Sequence, residues 1–211
     1  MPDQLLNIYP TPLLKRRLEG MEAANQQLTA LLLEMEAREP NASDGTTTQG
    51  GYQTREDLLA HDHPLHAHPA LALVKQHITT ALQDYATIMI RQECTRPPAK
   101  VDFMMWGWGV LYRAGNSQGL HVHPNAHISG VYYASAPPAA LERGEPGKIS
   151  FYDPRPRANM NQLAYQGTRH REAPVPGDMV LFPSYLEHSV APFAGEGLRI
   201  CIAFNARLMM E

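Results

Sequence analysis

Three of the ten histidines of this chain lie within seven positions of one another, in the segment GLHVHPNAHISGVYY at residues 119–133. They are His121, His123 and His127, and an apolar, β-branched run follows them. Side chains alternate between the two faces of an extended chain, so His121 and His123 point the same way. His127 shares that face only if Pro124 does not disturb the strand. Histidines at this spacing indicate a metal site.

A fourth histidine supplies the distal ligand that such a site needs. His188 lies alone between two apolar runs in the segment 175–205, far along the chain from His121. A β-barrel site commonly draws two ligands from one strand end and its turn, and the last ligand from a much later strand. Imidazole suits Fe, Zn, Cu and Ni alike, so the histidines predict a metal without naming it.

A second group of histidines, in HDHPLHAHP at residues 61–69, has a different interpretation. His-rich tracts can bind metal. Two prolines and the start of a helix at Pro69 instead indicate a solvated connector, with His68 near the helix cap. The members of this group are His61, His63, His66 and His68.

The composition predicts one soluble, intracellular domain. Of 211 residues, 44% are hydrophobic and 18% charged, which is enough for one ordinary core. A net charge of −3 offers no basic field to nucleic acid or to an acidic membrane. No stretch approaches the roughly 20 apolar residues of a membrane helix. The only cysteines, Cys94 and Cys201, indicate no disulfide scaffold. We expect no nucleic-acid partner, no membrane and a cytoplasmic location.

The first half of the chain predicts two helices. Apolar residues at helical spacing cover residues 20–38, and a second set begins at Pro69 and ends near Met89. Between them, the polar, Gly-rich residues 40–54 cannot bury enough apolar area to form an element, so we expect a loop, which could serve as a lid. Both helices are expected to brace a sheet.

The second half of the chain predicts short strands. After the prolines at 97–98 the hydrophobic period changes, and turn residues separate the apolar runs. Strands at this spacing favour a sandwich or small barrel, whose mouth is a usual place for a ligand. The predicted strands cover residues 101–113, 128–135, 148–153, 178–183 and 197–206.

Three blocks of the sequence resemble the 2-oxoglutarate/Fe(II) oxygenase family. They are HVHPNAHISGVYY, GKISFYDPR and PGDMVLFPSYLEHSVAPFAGEGLRICIAFN, and the early YPTPL and GGYQT match more weakly. The resemblance implies a double-stranded β-helix, a jelly-roll and cupin-like core at residues 99–211, with helices from residues 1–98 against it. It also implies a ferrous ion at the mouth and 2-oxoglutarate as cosubstrate.

The resemblance assigns ligands, with one departure. In the wider superfamily a His-x-Asp pair and a distal His hold the iron. His121 and His188 take the two histidine positions, and His123 stands where the family has Asp. That exchange makes the ferrous site one charge unit more positive. Either three histidines bind the metal or water replaces His123. His127 is a rival, because a metal cupin has a Glu ligand there, and we rank His123 first.

The resemblance also predicts a cosubstrate site. A basic residue about ten positions after the distal His binds the far carboxylate of 2-oxoglutarate, and Arg199 lies eleven positions after His188. A guanidinium matches a carboxylate bidentately. Tyr112 occupies the tyrosine position of prolyl hydroxylase-like enzymes, and Cys201 replaces an assisting Ser or Thr. A surface ion pair with Glu196 is the alternative for Arg199.

Further residues are predicted near the site with less support. Asn125 follows the His-x-His pair and could reach the metal-bound ligands. Asp153 and Arg155 in FYDPR belong to the family pattern and could line the substrate pocket together with His127, although an Asp-Pro turn also explains Asp153. Two tryptophans spaced two apart, Trp106 and Trp108, face one side of their strand and are expected to serve packing.

These residues together predict an Fe(II)- and 2-oxoglutarate-dependent oxygenase. Its expected reaction uses dioxygen to hydroxylate a small molecule or peptide, and it releases succinate and carbon dioxide. Two alternatives stay open. One is a three-histidine metal cupin that acts as a dioxygenase or isomerase without a keto acid, and the other is a non-enzymatic metal- or ligand-binding cupin. The sequence identifies neither the substrate nor the oligomeric state, and a homodimer is compatible with it.

Overall fold

Two antiparallel β-sheets lie face to face in the computed structural model, which describes residues 8–41, 47–93, 101–157, 160 and 168–210. The elements formed within these residues are, in chain order, β1 (Leu14–Arg17), α1 (Glu22–Arg38), β2 (Thr48–Gln49), β3 (Tyr52–Gln53), α2 (Pro69–Glu93), β4 (Val101–Tyr112), β5 (Ser117–His121), β6 (Ile128–Ser135), α3 (Pro138–Leu141), β7 (Ile149–Tyr152), β8 (Arg169–Glu172), β9 (Asp178–Pro183), β10 (His188–Val190) and β11 (Arg199–Met210).

The strands from β4 onward wind between the two sheets. The six-stranded sheet has the order β1-β9-β6-β11-β4-β3, and the five-stranded sheet has the order β2-β5-β10-β7-β8. Four of these later strands therefore lie in each sheet, and all their pairings are antiparallel. This winding is the double-stranded β-helix, so the predicted fold class is confirmed.

Side-chain alternation along β4 and β11 separates two apolar layers. Leu111 and Ile202 point to the outer face of the six-stranded sheet, where α1 and α2 cover them. Val110 and Cys201, one position away, point between the two sheets. The inner layer therefore joins the sheets, and the outer layer attaches the helices, as the sequence predicted.

Both predicted helices are confirmed. α1 buries one face through Ala24, Leu28, Leu31 and Leu32. α2 begins at Pro69, where the missing N–H of proline is tolerated, and the carbonyl of His68 accepts the first helical bond from the Ala72 N–H. The histidine-rich connector before α2 is a run of turns with exposed or half-buried histidines.

The prediction that residues 40–54 form only a loop is wrong for its second half. β2 pairs with β5 and β3 pairs with β4, so this segment joins the edges of the two sheets. Its backbone groups are satisfied by the sheet edges, which do not require apolar residues in the segment itself. Gly51, at φ +78°, fits closely against Tyr112, since a Cβ there would lie 2.5 Å from the ring. Residues 42–46 lie outside the described residues, and a lid role stays a prediction.

All five predicted strands form, as β4, β6, β7, β9 and β11, with ends that differ by a few residues. The sequence analysis missed β1, β5, β8 and β10, which read LKRR, SQGLH, RHRE and HSV. These short polar segments lack the alternation on which strand prediction rests, and their partners stabilise them. The boundary predicted at residues 98 and 99 falls outside the described residues, and so does Cys94. No described helix combines the length and apolar character that crossing a membrane requires.

Close packing of Leu32 on Gly109 predicts a coupled pair of substitutions. Leu32 is fully buried, and a Cβ added to Gly109 would collide with its side-chain methyl groups. Leu32→Ala should lower the free energy of unfolding by about 2–5 kcal/mol because it leaves a cavity. Gly109→Ala should lower it by about 1–3 kcal/mol because it overpacks the same contact. The double variant should lose less than the sum, because the new methyl fills part of the cavity. Denaturant unfolding measures all four proteins, and strict additivity would contradict the packing argument.

Candidate metal centre

Strand pairing places two distant histidines side by side. His121 ends β5, His188 begins β10, and the two are direct partners in the antiparallel register. Their ring centroids lie 4.1 Å apart. His123 follows in the turn after β5, where its N–H donates to the Ser184 carbonyl. Its ring centroid is 5.1 Å from that of His121 and 5.2 Å from that of His188. One nitrogen from each of these three rings lies within 4.8 Å of the others.

Backbone carbonyls fix the tautomer of two of these histidines. His121 Nδ1 lies 2.8 Å from the Gly119 carbonyl oxygen, and His188 Nδ1 lies 2.9 Å from that of Leu186. A carbonyl oxygen only accepts, so each Nδ1 carries the proton and donates it. The lone pair of each Nε2 is thereby left for a metal, as in metal sites whose outer contacts orient the ligands.

Burial keeps the three imidazoles neutral. Burial, together with the neighbouring His121, lowers the pKa of His123 to about 4. Burial also lowers the pKa of His121, and it takes the pKa of His188 well below the usual value, with the other two histidines adding to the effect. A metal therefore meets neutral ligands at pH 7 and displaces no proton from the coordinating nitrogens.

The donor set fits a first-row transition metal such as Fe(II). Three neutral imidazoles converge, and nitrogen ligands of this kind suit Fe, Zn, Cu and Ni. Among the described residues, this is the only cluster of three or more potential ligands with such a geometry. The histidine-rich connector before α2 forms no such cluster.

His127 lies apart from the cluster. A turn at Pro124 and Asn125 separates it from His123, and its Nδ1 accepts a hydrogen bond from the Leu208 N–H at 3.0 Å. The imidazole is exposed. Geometry therefore favours His123 over His127 as the third ligand.

Arg199 is buried in the same region without a carboxylate partner. It begins β11 and is only 2% exposed. Its Nε donates to the Gly147 carbonyl at 2.9 Å, and its Nη1 lies 3.6 Å from the sulfur of Cys201. In the described part of the chain no carboxylate lies within ion-pair distance of this guanidinium, so the predicted alternative of a surface pair with Glu196 is wrong.

Two tyrosines flank this guanidinium. The Arg199 Cζ lies 5.2 Å from the ring centroid of Tyr133 and 5.8 Å from that of Tyr112. The Tyr133 hydroxyl is buried and has no hydrogen-bond partner, whereas that of Tyr112 donates to Gln118 Oε1 at 3.3 Å. Burial raises the pKa of both phenols, so both keep their protons at neutral pH. The cationic residue is thus accompanied by neutral donors.

One narrow cavity joins the histidines to Arg199. Trp108, whose ring nitrogen is also buried without a partner, lies on its wall beside His123. Cys201 is buried, and burial raises the pKa of its thiol, so it contacts Arg199 as a neutral group. The other residues that line the cavity include Gln118, Val131, Ile149, Phe182 and Val190.

Besides His127, the predicted residues Asn125, Asp153 and Arg155 also lie outside this cavity. Asn125 is exposed and lines a separate pocket of about 720 Å³ that touches His123 and Trp106. Asp153 and Arg155 line another pocket of about 670 Å³, where they form an ion pair at 2.6 Å. The Asp153 carboxylate also accepts the Arg155 backbone N–H, and Arg155 lowers its pKa.

Sequence reasoning missed several residues of the site. In the sequence Tyr133 is only the end of an apolar run, and the spacing of Trp108 from Trp106 predicts packing. The amides of Gln118 and Asn205 carry no sequence pattern of their own, and their positions follow from strand register. Period-two alternation from Val131 identifies Tyr133 as inward-facing once the strand is assigned.

Comparison with known proteins shows which family the β-helix core is similar to. Residues 106–205 match the model of the family described as "Putative 2OG-Fe(II) oxygenase". No curated protein matches the chain. The matched residues, just under half of the chain, form most of the β-helix core and are similar to the 2OG-Fe(II) oxygenase family, whose cofactor and cosubstrate are Fe(II) and 2-oxoglutarate.

Solved structures share the fold at low sequence identity. A Pseudomonas putida prolyl-4-hydroxylase has a TM-score of 0.56 and 18% identity, over 92% of this chain and 91% of that chain. A Trichoplax adhaerens prolyl hydroxylase, in complex with a hypoxia inducible factor peptide, has a TM-score of 0.57 and 11% identity, over 92% of this chain and 83% of that chain. HygX from Streptomyces hygroscopicus, with nickel and 2-oxoglutarate bound, has a TM-score of 0.54 and 15% identity, over 93% of this chain and 82% of that chain.

Buried neutral histidines predict that the metal-free protein loses stability in acid. The pKa of His123 is about 4 in the folded protein and about 6.5 in the unfolded chain. Between these values the unfolded chain binds more protons, so the free energy of unfolding falls as the pH falls from about 6.5 towards 4. His123→Gln should reduce this decrease by about 1–3 kcal/mol. Urea unfolding with a metal chelator, between about pH 7 and pH 4.5, measures it.

Asn125→Ala serves as the control for this measurement, because it changes an exposed neighbour that does not titrate. It should keep the wild-type pH dependence. If the free energy of unfolding of His123→Gln fell with pH as steeply as that of the wild type, other groups would be the cause of the acid sensitivity.

Proposed function

We propose that this oxygenase holds Fe(II) with His121, His123 and His188 and anchors 2-oxoglutarate with Arg199, in order to hydroxylate an organic substrate. One observation carries the proposal. A buried guanidinium without a carboxylate partner shares a cavity with three converging neutral imidazoles. A buried cation is unfavourable unless it is paired, so this arrangement favours an anionic ligand beside the metal ligands.

Outer contacts orient the histidine rings that are proposed to hold the metal. The carbonyls of Gly119 and Leu186 hold the rings of His121 and His188 with Nε2 towards the centre. If these three histidines hold the iron, cosubstrate and dioxygen would take its remaining coordination positions. When bound, the iron supplies oxidative decarboxylation of the keto acid, to succinate and carbon dioxide, coupled to hydroxylation of a C–H bond.

Arg199 and Tyr133 are suited to the far carboxylate of 2-oxoglutarate. The guanidinium provides two parallel donors, and the unpartnered phenol adds a third. The Gly147 carbonyl fixes the Nε end of Arg199, and Cys201 contacts Nη1, so the side chain is held in place before the ligand arrives. Tyr112, held by Gln118, lines the same end of the site.

The cavity wall is suited to exclude water from the reaction. Val131, Ile149 and Phe182 cover the space between the metal ligands and Arg199 with apolar side chains. A dry wall strengthens the interaction between the guanidinium and an anion, because the local dielectric constant is low. It also limits side reactions of the oxidising centre with solvent.

Substrate is proposed to approach from the surface pockets beside the metal ligands. The pocket at His123 and Asn125 opens directly next to the third ligand, and Asn125 is thereby assigned to the substrate side. The pocket at Asp153 and Arg155 reaches Phe151, which lies against His188. Dioxygen and a small molecule or peptide are the proposed partners. The homodimer, the cytoplasmic location and the absence of nucleic acid stay predictions.

The three-histidine cupin without a keto acid is the second candidate. The imidazole at position 123, where the family has a carboxylate, favours it. The buried Arg199 opposes it, since a cupin that binds no anion leaves this cation uncompensated. Binding of 2-oxoglutarate, and the production of succinate, separate this candidate and a non-enzymatic cupin from the proposed oxygenase.

Arg199 gives the test of the proposed function. Anaerobic titration of the Fe(II)-loaded protein with 2-oxoglutarate should develop the weak visible charge-transfer band of a chelated keto acid. Arg199→Ala should require at least roughly 30-fold more 2-oxoglutarate, because a buried charge pair is broken. Arg113→Ala, at a surface arginine paired with Glu36, should titrate like the wild type. Wild-type protein that binds iron but shows no band would exclude the proposed function.

Tyr133→Phe should separate ligand binding from stability. Loss of its hydroxyl should weaken 2-oxoglutarate binding roughly tenfold, because one hydrogen bond to a charged group is lost. The free energy of unfolding should stay constant or rise by about 1 kcal/mol, because a buried hydroxyl without a partner is removed. The two measurements are the same keto acid titration and urea unfolding.

Tyr132→Phe is the matched control, since its hydroxyl donates to Asn25 at 2.6 Å on the helix side of the sheet. It should show the reverse pattern, with lower stability and unchanged 2-oxoglutarate affinity. A Tyr133→Phe variant that is less stable and binds 2-oxoglutarate normally would show that this phenol has only a packing role.

A further inference from the structure

The third histidine of the cluster has a different outer contact from the other two. His121 and His188 donate their Nδ1 protons to backbone carbonyls. His123 Nδ1 instead lies 3.4 Å from the side-chain amide nitrogen of Asn205. A backbone carbonyl can only accept a hydrogen bond, whereas a side-chain amide can present either its accepting oxygen or its donating nitrogen.

Asn205 is itself held from the opposite side. It lies on β11, is 4% exposed, and is the register partner of Ser129 on β6. The Ser129 hydroxyl, also buried, donates to Asn205 Oδ1 at 2.7 Å. The amide therefore bridges a hydroxyl and the imidazole of His123, within the inner face of the six-stranded sheet.

The direction of the hydrogen bond between Asn205 and His123 decides which ring nitrogen of His123 carries the proton and which is free for a metal. If the amide nitrogen donates to Nδ1, the ring proton must lie on Nε2, and the remaining nitrogen cannot bind a metal. A half-turn of the amide exchanges its oxygen and nitrogen and preserves both contacts, because the two ends have the same shape. Oδ1 then accepts the Nδ1 proton, and Nδ2 donates to the Ser129 hydroxyl, which can accept.

We propose that Asn205 is the positioning residue for His123, which it holds in the Nδ1–H tautomer with Nε2 free for the metal. Ser129 in turn holds the amide. The inference rests on the proposed function, in which His123 is the third ligand. It also follows from the departure at this position, because a carboxylate ligand has no tautomers and needs no such partner, whereas an imidazole ligand does.

Zn(II) binding to two variants of Asn205 tests the proposal without any assay of activity. Asn205→Leu has similar size and no acceptor, and it should weaken Zn(II) binding roughly 10- to 100-fold in isothermal titration. Asn205→Asp can only accept from Nδ1–H, and it should bind Zn(II) at least as tightly as the wild type. Asn25→Leu is the matched control, because it removes an amide acceptor far from the cluster and should keep wild-type affinity.

The tautomer itself provides a second measurement. In the Zn(II)-loaded wild type, the ¹⁵N shifts of the imidazole of His123 should show a proton on Nδ1 that is protected from solvent exchange. In Asn205→Leu that protection should be lost, while His121 and His188 keep theirs. If Asn205→Leu does not fold, Asn205→Ser is used, because its short side chain cannot reach the ring, and it should show the same losses.

Three results would overturn the proposal. The first is wild-type Zn(II) affinity in folded Asn205→Leu, and the second is weaker Zn(II) binding by Asn205→Asp than by Asn205→Leu. The third is weaker Zn(II) binding by the double variant Asn205→Leu/His123→Ala than by His123→Ala alone. Failure of the proposed function is recognised separately. Wild-type protein that binds no metal contradicts both proposals, whereas wild-type protein that binds metal and 2-oxoglutarate, with an unaffected Asn205→Leu, contradicts only the role of Asn205.

Discussion

The position of β11 between β4 and β6 is the constraint on which the candidate site depends. This strand forms hydrogen bonds along its length with both neighbours, and its residues of odd number point between the sheets. One alternation therefore presents Arg199, Cys201 and Asn205 to the inner face. The pairing of His121 with His188 in the opposite sheet places the candidate metal ligands opposite these three side chains. A slip of β11 by one residue would move all three side chains to the helix side.

Burial of positive charge without carboxylates sets the electrostatic character of the site. Burial holds the three imidazoles neutral, so Arg199 is the one cation in the cavity lined by described residues. The rings of Tyr112 and Tyr133 compensate part of its desolvation through their π faces. The remaining penalty makes the folded protein less stable than an apolar core would, and it is relieved when an anion binds. Stability and affinity are thus opposed at this residue.

Sequence reasoning recovered what depends on local pattern. Helical periodicity predicted α1 and α2, and the apolar runs between turn residues predicted β4, β6, β7, β9 and β11. The resemblance predicted His121, His188 and Arg199 as site residues, because their separation along the chain follows the family. Sequence reasoning ranked His123 above His127 but left His127 as a rival, since the choice depends on the turn at Pro124. The sequence pattern also does not predict β5 and β10, whose polar residues form strands only through pairing. The outer contacts of the candidate ligands depend on strand register and have no sequence pattern either.

The Nδ1 contact of His123 is made by a neutral group, and this has an electrostatic consequence. An imidazole in place of the family's Asp leaves a metal site one charge unit more positive. A carboxylate next to Nδ1 would return that negative charge to the ligand set, as it does in carboxylate–histidine–metal arrangements. The chain instead provides the amide of Asn205, which orients the ring without adding charge. The outer contact therefore preserves the more positive charge of the proposed centre, and this supports the proposal that a dianionic cosubstrate binds both the metal and Arg199.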